Sequence, residues 1–190
     1  WCEFVDPNDY VEDRHEVYYA STTAWHNDGS LGVYWGTGSP YDRLNSDPGY
    51  VFGFIDEAPT TCPATATPIC TGGYLEMDEG EGLTGNPIAY QGVVYFPTYT
   101  PNEDRCENGL GKIRGMSYNT CEGGIDTNGD GQANAEYVET DGYPSSITIT
   151  DQGEIIWGSS NFEDNSGIST MSVVTDPFKG TRTMMIREVF

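Results

Sequence analysis

Basic residues are scarce in this chain. Eight lysines and arginines stand against 30 aspartates and glutamates, and the formal net charge at pH 7 is -22. A surface that negative repels phosphate, whose neutralisation supplies most of the free energy of nucleic-acid binding; nucleic acid and anionic membrane surfaces are therefore disfavoured as partners. Long apolar runs are also missing. No stretch approaches the roughly 18 apolar residues that a transmembrane helix needs, and no window of about ten residues shows the 3.6-residue periodicity of an amphipathic helix. Histidine occurs only at His15 and His26, with no HExxH or HxH spacing, so a histidine-based catalytic or metal centre has little to build on. No GxSxG elbow is present, and without CxxC or CxxCH neither a zinc ribbon nor a c-type haem attachment is expected. A signal-peptide pattern is absent as well. The chain begins at Trp1 rather than Met, which leads to the expectation that an N-terminal part has been removed or that the chain is a piece of something larger.

What the sequence does have is turn-formers and aromatics: 24 Gly, 11 Pro and 13 Tyr. That composition suits short strands joined by tight turns. Glu16-Val-Tyr-Tyr-Ala20 reads as the first strand. The segment Gly32-Val-Tyr-Trp35-Gly-Thr-Gly38 returns as Gly92-Val-Val-Tyr-Phe96-Pro-Thr98 and again as Gly153-Glu-Ile-Ile-Trp157-Gly-Ser-Ser160, so that Trp35, Phe96 and Trp157 are 61 residues apart. Each copy follows a turn (Asp28-Gly29, Gln91-Gly92, Gln152-Gly153) and an earlier short strand. Even repetition of this kind is the mark of small antiparallel sheets that bury their faces only against one another. The expected fold is all-β: consecutive antiparallel blades of a β-propeller, about three repeats of 61 residues, forming a sector of a larger ring, with a small three-repeat sandwich as the alternative. A blade usually takes roughly 40–50 residues, so each repeat should carry an excursion. These are assigned to 56–81 (an inserted Cys/Pro/Thr-rich loop), 100–108, 121–134 and 162–167. Trp25, Trp35 and Trp157 are read as core residues, and Tyr18, Tyr19, Tyr90, Tyr95 and Tyr99 as packing between blades.

The excursion with the clearest chemistry is Asp126-Thr-Asn128-Gly-Asp130-Gly-Gln132-Ala-Asn134. Oxygen-bearing side chains occupy positions 1, 3, 5 and 9 of a loop whose position 6 is Gly131, the pattern by which an EF-hand-type loop points every second ligand at a hard cation. Asp126, Asn128, Asp130 and Asn134 would give side-chain oxygens, the last through water, and Gln132 its backbone carbonyl. Position 12 is Tyr137 instead of a bidentate Glu, and a strand follows where an EF-hand has a helix. The reading is a Ca²⁺ loop set between strands, within an inserted segment 121–139. The competing reading is an Asn-Gly/Asp-Gly hairpin turn with solvated acids. Asp6, Asn8, Glu12 and Asp13 are spaced irregularly and read as a solvated acidic loop.

Five cysteines remain: Cys2, Cys62, Cys70, Cys106 and Cys121. Cys62 and Cys70 flank a short loop and are expected to staple it, Cys106 and Cys121 to close a hairpin, with Cys2 left for missing sequence or another chain. Such pairings place the protein in an oxidising compartment.

Taken in order, Gly36-Thr37-Gly38 with Tyr50-Val-Phe-Gly-Phe-Ile55, Val94-Tyr-Phe-Pro-Thr98 with Cys106 beyond it, the Asp126–Asn134 loop leading into Tyr137-Val, and the terminal Arg187-Glu-Val-Phe190 resemble the C-terminal β-propeller of the PilY family, over roughly residues 30–190. The resemblance implies that 1–190 is the C-terminal part of a propeller domain, secreted and carrying one structural or regulatory Ca²⁺. It implies action at the cell surface, outer membrane or type IV pilus tip in adhesion or assembly. Implied partners are the rest of the propeller or a second chain reached through Cys2 and the N-terminal edge, and pilins or a host or surface ligand. That family commonly has Asp where Asn134 stands, which implies weaker affinity here. Nothing corresponds to the N-terminal von Willebrand factor A-like portion of its fuller members. The enzyme alternative is a quinoprotein-like propeller dehydrogenase; its carboxylated cofactor would need converging cations, of which this chain has few. A structural subunit of an extracellular assembly is the other alternative. The favoured expectation is a non-catalytic calcium-binding surface module.

Overall fold

The computed structural model describes residues 4–11, 16–38, 47–59, 66–104, 106–127, 132–140, 142–150, 153–160 and 167–172. Three successive antiparallel sheets account for the described strands. Sheet I holds β1 (Thr22–Trp25), β2 (Leu31–Gly36), β3 (Tyr50–Asp56) and an interrupted fourth strand, β4 (Ala66–Pro68) with β5 (Tyr74–Glu76), both pairing with β3. Sheet II begins with its own interrupted strand, β6 (Gly82–Leu83) and β7 (Ile88–Tyr90). These pair with β8 (Val93–Thr100), which continues through β9 (Leu110–Ser117) to β10 (Tyr137–Thr140). Sheet III places β11 (Tyr143–Pro144) and β12 (Thr148–Ile149) along β13 (Glu154–Ser160), followed by β14 (Gly167–Ser172). The all-β expectation and the run of antiparallel sheets are therefore correct, and the described residues do not form a closed ring.

Local sequence sets these boundaries. The three turn glycines that precede β2, β8 and β13 all take left-handed backbone, with φ of 88° at Gly29, 86° at Gly92 and 81° at Gly153, a conformation that costs a side-chain-bearing residue and costs glycine almost nothing. Pro97 lies inside a central strand, where a missing N–H would break a ladder. It is tolerated because the neighbouring strand is interrupted between β7 and β6 at that point, and Pro97 contributes only its carbonyl, which accepts from the Thr84 amide at 3.0 Å.

Side-chain alternation then decides which face meets which sheet. On β2, Tyr34 joins Ala24 and Val51 against Val94, Phe96, Met116 and Tyr118 of sheet II. On β8 the intervening residues Val93 and Tyr95, with Ile113 and Ile125, meet Ile155 and Trp157 of sheet III. Trp35, Phe96 and Trp157 thus occupy one structural position: each faces away from the sheet that follows it. For Trp35 no sheet among the described residues lies on that side. Its stacked partners Phe52 and Phe54, with ring centroids at 5.3 and 5.6 Å, are covered instead by Phe4, Val5, Tyr10 and Val11.

Several expectations change. Glu16–Ala20 is not a strand: Val17 makes a single parallel bridge to Gly38, and Tyr18 is exposed. The 56–81 segment is not all loop, since β4 and β5 lie within it and supply the last strand of sheet I. Tyr95 is buried between sheets II and III, with Tyr90 partly so; Tyr19 packs on the sheet I–II core, and Tyr99 meets Tyr143 edge-on at 5.1 Å. Trp25 is half-buried. The 100–108 and 121–134 excursions do fall between strands, and 162–166 lies outside the described residues.

A polar chain crosses the sheet I–II contact. The Tyr34 hydroxyl donates to the Tyr118 carbonyl at 2.9 Å and lies 3.1 Å from His26 Nε2. Tyr34 has one hydrogen and spends it on the carbonyl, so His26 Nε2 must carry its own proton and donate. Burial pulls the His26 pKa below its ordinary 6.5, opposed by the Asp28 charge and an Asn119 hydrogen bond. A lowered pKa means that the unfolded chain takes up the proton more readily. The stability His26 contributes is present above about pH 6.5 and is lost as the pH falls below it. His26→Phe is expected to flatten the decline in melting temperature between about pH 7 and 5; an unchanged slope would exclude this histidine as its source.

Candidate functional site

The oxygen-rich loop hangs between β9 and β10 from a narrow base. Ile125 and Ala135 form an antiparallel bridge, with Ile125 N to Ala135 O and Ala135 N to Ile125 O both at 3.0 Å. Below the bridge the Gly124 amide donates to Gly115 O at 2.9 Å, and Gly115 N donates to Glu136 O at 2.9 Å. Gly124 is required here: a Cβ would stand 2.7 Å from the Val93 side chain. Ile125 is buried in the sheet II–III core. The bridge sets Asp126 and Asn134 on the two arms of one narrow neck. Asp126 is half-buried, and Gln132 and Asn134 are exposed. The Asn134 side-chain oxygen accepts from both Thr127 N, at 3.0 Å, and Thr127 Oγ1, at 2.8 Å. Both lone-pair directions are then occupied. Asn134 in this arrangement holds the entering arm of the loop through Thr127. Asn128 and Asp130 lie outside the described residues, and among the described residues no group of three His, Cys, Asp or Glu side chains forms a ready metal cluster. The donors on hand are all oxygens, the set that suits a hard cation.

The cysteine pairing differs from expectation. Cys70, in the turn between β4 and β5, is bonded to Cys121 at the end of β9, with Cα atoms 5.2 Å apart. This replaces both the Cys62–Cys70 staple and the Cys106–Cys121 hairpin closure. The Cys106 thiol is free and exposed, and Cys2 and Cys62 lie outside the described residues. The reason is tertiary: face-to-face packing of sheets I and II brings two turns together that are 51 residues apart in sequence. The bond ties the base of the 121–136 excursion to the neighbouring sheet.

Beside that base lies a cluster that sequence reasoning missed. Lys112 and Arg114, the two basic residues among those described, point from β9 toward sheet I and meet Glu81, which comes from the connection between β5 and β6. Arg114 donates from Nε to Glu81 Oε1 at 2.7 Å and from Nη2 to Oε2 at 2.6 Å, the bidentate geometry that makes guanidinium–carboxylate pairs strong. Lys112 Nζ donates to Glu81 Oε2 at 3.1 Å and also to Asp78. The Thr98 hydroxyl donates to Glu81 Oε1, and Arg114 reaches Asp78 Oδ2 at 3.2 Å. The Tyr137 ring lies over both cations, 4.6 Å from Lys112 Nζ and 5.2 Å from Arg114 Cζ. Burial alone would raise the Glu81 pKa. The hydrogen bonds and charge of Arg114, the Thr98 bond and the Lys112 charge outweigh it and hold the carboxyl at about 2. A carboxylate so fully engaged is a structural counter-ion, with no lone pair left for proton transfer to a substrate. The signal that could have found it is the Lys-x-Arg spacing on an apolar strand in a chain so poor in cations.

A cavity of about 20 Å³ lies among Phe96, Arg114, Met116, Cys121 and Glu136, room for one water and no more. Among the described residues no helix is long and apolar enough to cross a membrane. Comparison with family models, with curated proteins and with solved structures returned no match.

Proposed function

We propose that this chain is a non-catalytic, calcium-binding module of an extracellular or cell-surface protein, serving adhesion or assembly in the manner of type IV pilus tip proteins of the PilY kind, with pilins or a surface ligand as its partners. The observation that carries the reading is the oxygen-rich Asp126–Asn134 sequence on a neck fixed by the Ile125–Ala135 bridge and, close by, the Cys70–Cys121 disulfide. Such a neck lowers the ordering cost of gathering oxygen ligands around an ion. Asp126, Asn128, Asp130 and the Gln132 carbonyl would hold Ca²⁺, with Asn134 bracing Thr127. The ion's chemistry there is charge neutralisation and local ordering. The disulfide and the net charge of -22 favour an oxidising, cation-rich setting.

Calcium titration of the whole chain tests this. Calcium is expected to raise the melting temperature of the parent protein, and an Asp126→Ala/Asp130→Ala variant should show no such shift while matching the parent in chelator. At free calcium about a hundredfold above the dissociation constant the gain should be roughly 2.7 kcal/mol. Equal calcium-dependent stabilisation of variant and parent would remove the assignment.

A further inference from the structure

The turn that follows β9 belongs to sheet II but is gripped from sheet I. Its amides donate within sheet II: Tyr118 N to Gly92 O at 3.0 Å, Asn119 N to Ser117 Oγ at 3.4 Å and Cys121 N to Ser117 O at 3.1 Å. Sheet I holds it at three residues. The Tyr118 carbonyl accepts from the Tyr34 hydroxyl, and the Tyr118 ring meets His26 edge-on with centroids 4.5 Å apart. The Asn119 side chain hydrogen-bonds to His26. Cys121 is bonded to Cys70, which is buried in the same cluster as Tyr34 and Tyr118. Cys121 itself has left-handed backbone, with φ of 60°, a conformation that a side-chain-bearing residue keeps only where its surroundings impose it.

His26 is fixed by the β1–β2 hairpin, where its amide donates to Ser30 O at 2.9 Å and its carbonyl accepts from Gly29 N at 3.1 Å. Gly32 leaves the ring its room, since a Cβ there would stand 2.7 Å from His26 Nε2. With the Nε2 hydrogen committed to Tyr34, a second proton goes on Nδ1 and puts a charge in a half-buried site. The titratable groups facing it are Asp28 in its own hairpin, Tyr34 on β2 and Tyr118 on the turn. Tyr34 keeps its hydrogen, because burial raises its pKa far above the ordinary 10. Asp28 is the one carboxylate of the three; it is exposed, and burial of the ring outweighs its charge. A charged ring is therefore better hydrated with the turn lifted away, and the turn carries part of the cover of the disulfide with it.

We infer that His26 and the Cys70–Cys121 bond form one latch on this turn: a proton on His26 releases the turn from sheet I and uncovers the bond, and cutting the bond makes His26 easier to protonate. The second half follows from the first by linkage, because two events that favour the same open state favour each other. Cleavage by a phosphine serves as the probe. As the S–S bond opens to two thiols, the phosphine takes the oxygen of a water molecule and becomes its oxide. The latch lies outside the oxygen-rich loop and does not rest on the calcium reading.

The full chain in chelator tests it. Its rate of reduction by a water-soluble phosphine, expressed relative to oxidised glutathione at the same pH, is expected to rise about threefold or more between about pH 7.5 and 5.5, which corresponds to roughly half a unit of pKa between closed and open turn. His26→Gln, which keeps a side-chain donor and takes up no proton, should remove the rise. In the other direction, the NMR titration of His26 should move up toward 6.5 in Cys70→Ser/Cys121→Ser. His15 is the only other histidine in the chain, so a His15→Gln variant assigns the two resonances. If the double-serine variant does not fold, the reduction rates decide alone. A relative rate that stays flat with pH in the parent would overturn the inference. So would an equal rise in His26→Gln, or a His26 titration that loss of the bond leaves unmoved in a folded double variant.

Discussion

Glu81→Gln is expected to cost about 3–5 kcal/mol of folding stability, because it removes the counter-ion from two buried cations and leaves their charge uncompensated. Lys112 and Arg114 side chains are 3 % and 6 % exposed, and Asp78, at 63 %, is too wet to replace Glu81. The loss should be visible as a fall in denaturation midpoint at neutral pH. Acid should reproduce it in the parent. With a folded pKa near 2 against an ordinary 4.5, the contribution of Glu81 is present above about pH 4.5 and disappears as the pH falls toward 2. Replacing the whole set, Glu81→Leu with Lys112→Met and Arg114→Met, should recover much of the loss, since apolar residues of similar volume avoid the desolvation penalty. A Glu81→Gln change costing under about 1 kcal/mol would show that water reaches the cluster and screens it.

The second large effect belongs to the disulfide between the sheets. Cys70→Ala with Cys121→Ala frees a loop of 51 residues, for which the chain-entropy argument gives about 4 kcal/mol. For a domain of this size that corresponds to a drop of roughly 10 °C in melting temperature. Hydrogen exchange should quicken most at 122–126, where Cys121 anchors the neck of the oxygen-rich loop. If exchange quickens evenly over all three sheets instead, the bond stabilises the chain without holding the loop, and the proposed coupling between sheet packing and ion binding fails.

How much of this was legible beforehand follows from the range of the forces involved. The 61-residue spacing of Trp35, Phe96 and Trp157, the turn glycines at 29, 92 and 153, and the alternation along Val93–Thr100 are local. They act through φ preferences and a two-residue pleat, and they fixed the fold class, the second strand of each sheet and the placing of the 121–134 excursion. Glu16–Ala20 misled because β-forming side chains do not make a strand without a neighbour to pair with. The 56–81 segment misled because its short β4 and β5 exist only by pairing with β3. The loop from Asp126 to Asn134 announced its oxygens in sequence, whereas the engagement of Asn134 with Thr127 depends on a neck that Ile125 and Ala135 close.

By itself the sequence determined that this is an acidic, all-β chain of repeated antiparallel units with an oxygen-rich loop between two strands, since composition, glycine placement and side-chain alternation act within a few residues. Only the tertiary structure decided that Cys70 meets Cys121 and that Glu81 neutralises Lys112 and Arg114. Those facts depend on how whole sheets stack, and stacking brings together residues whose separation along the chain carries no trace of their contact.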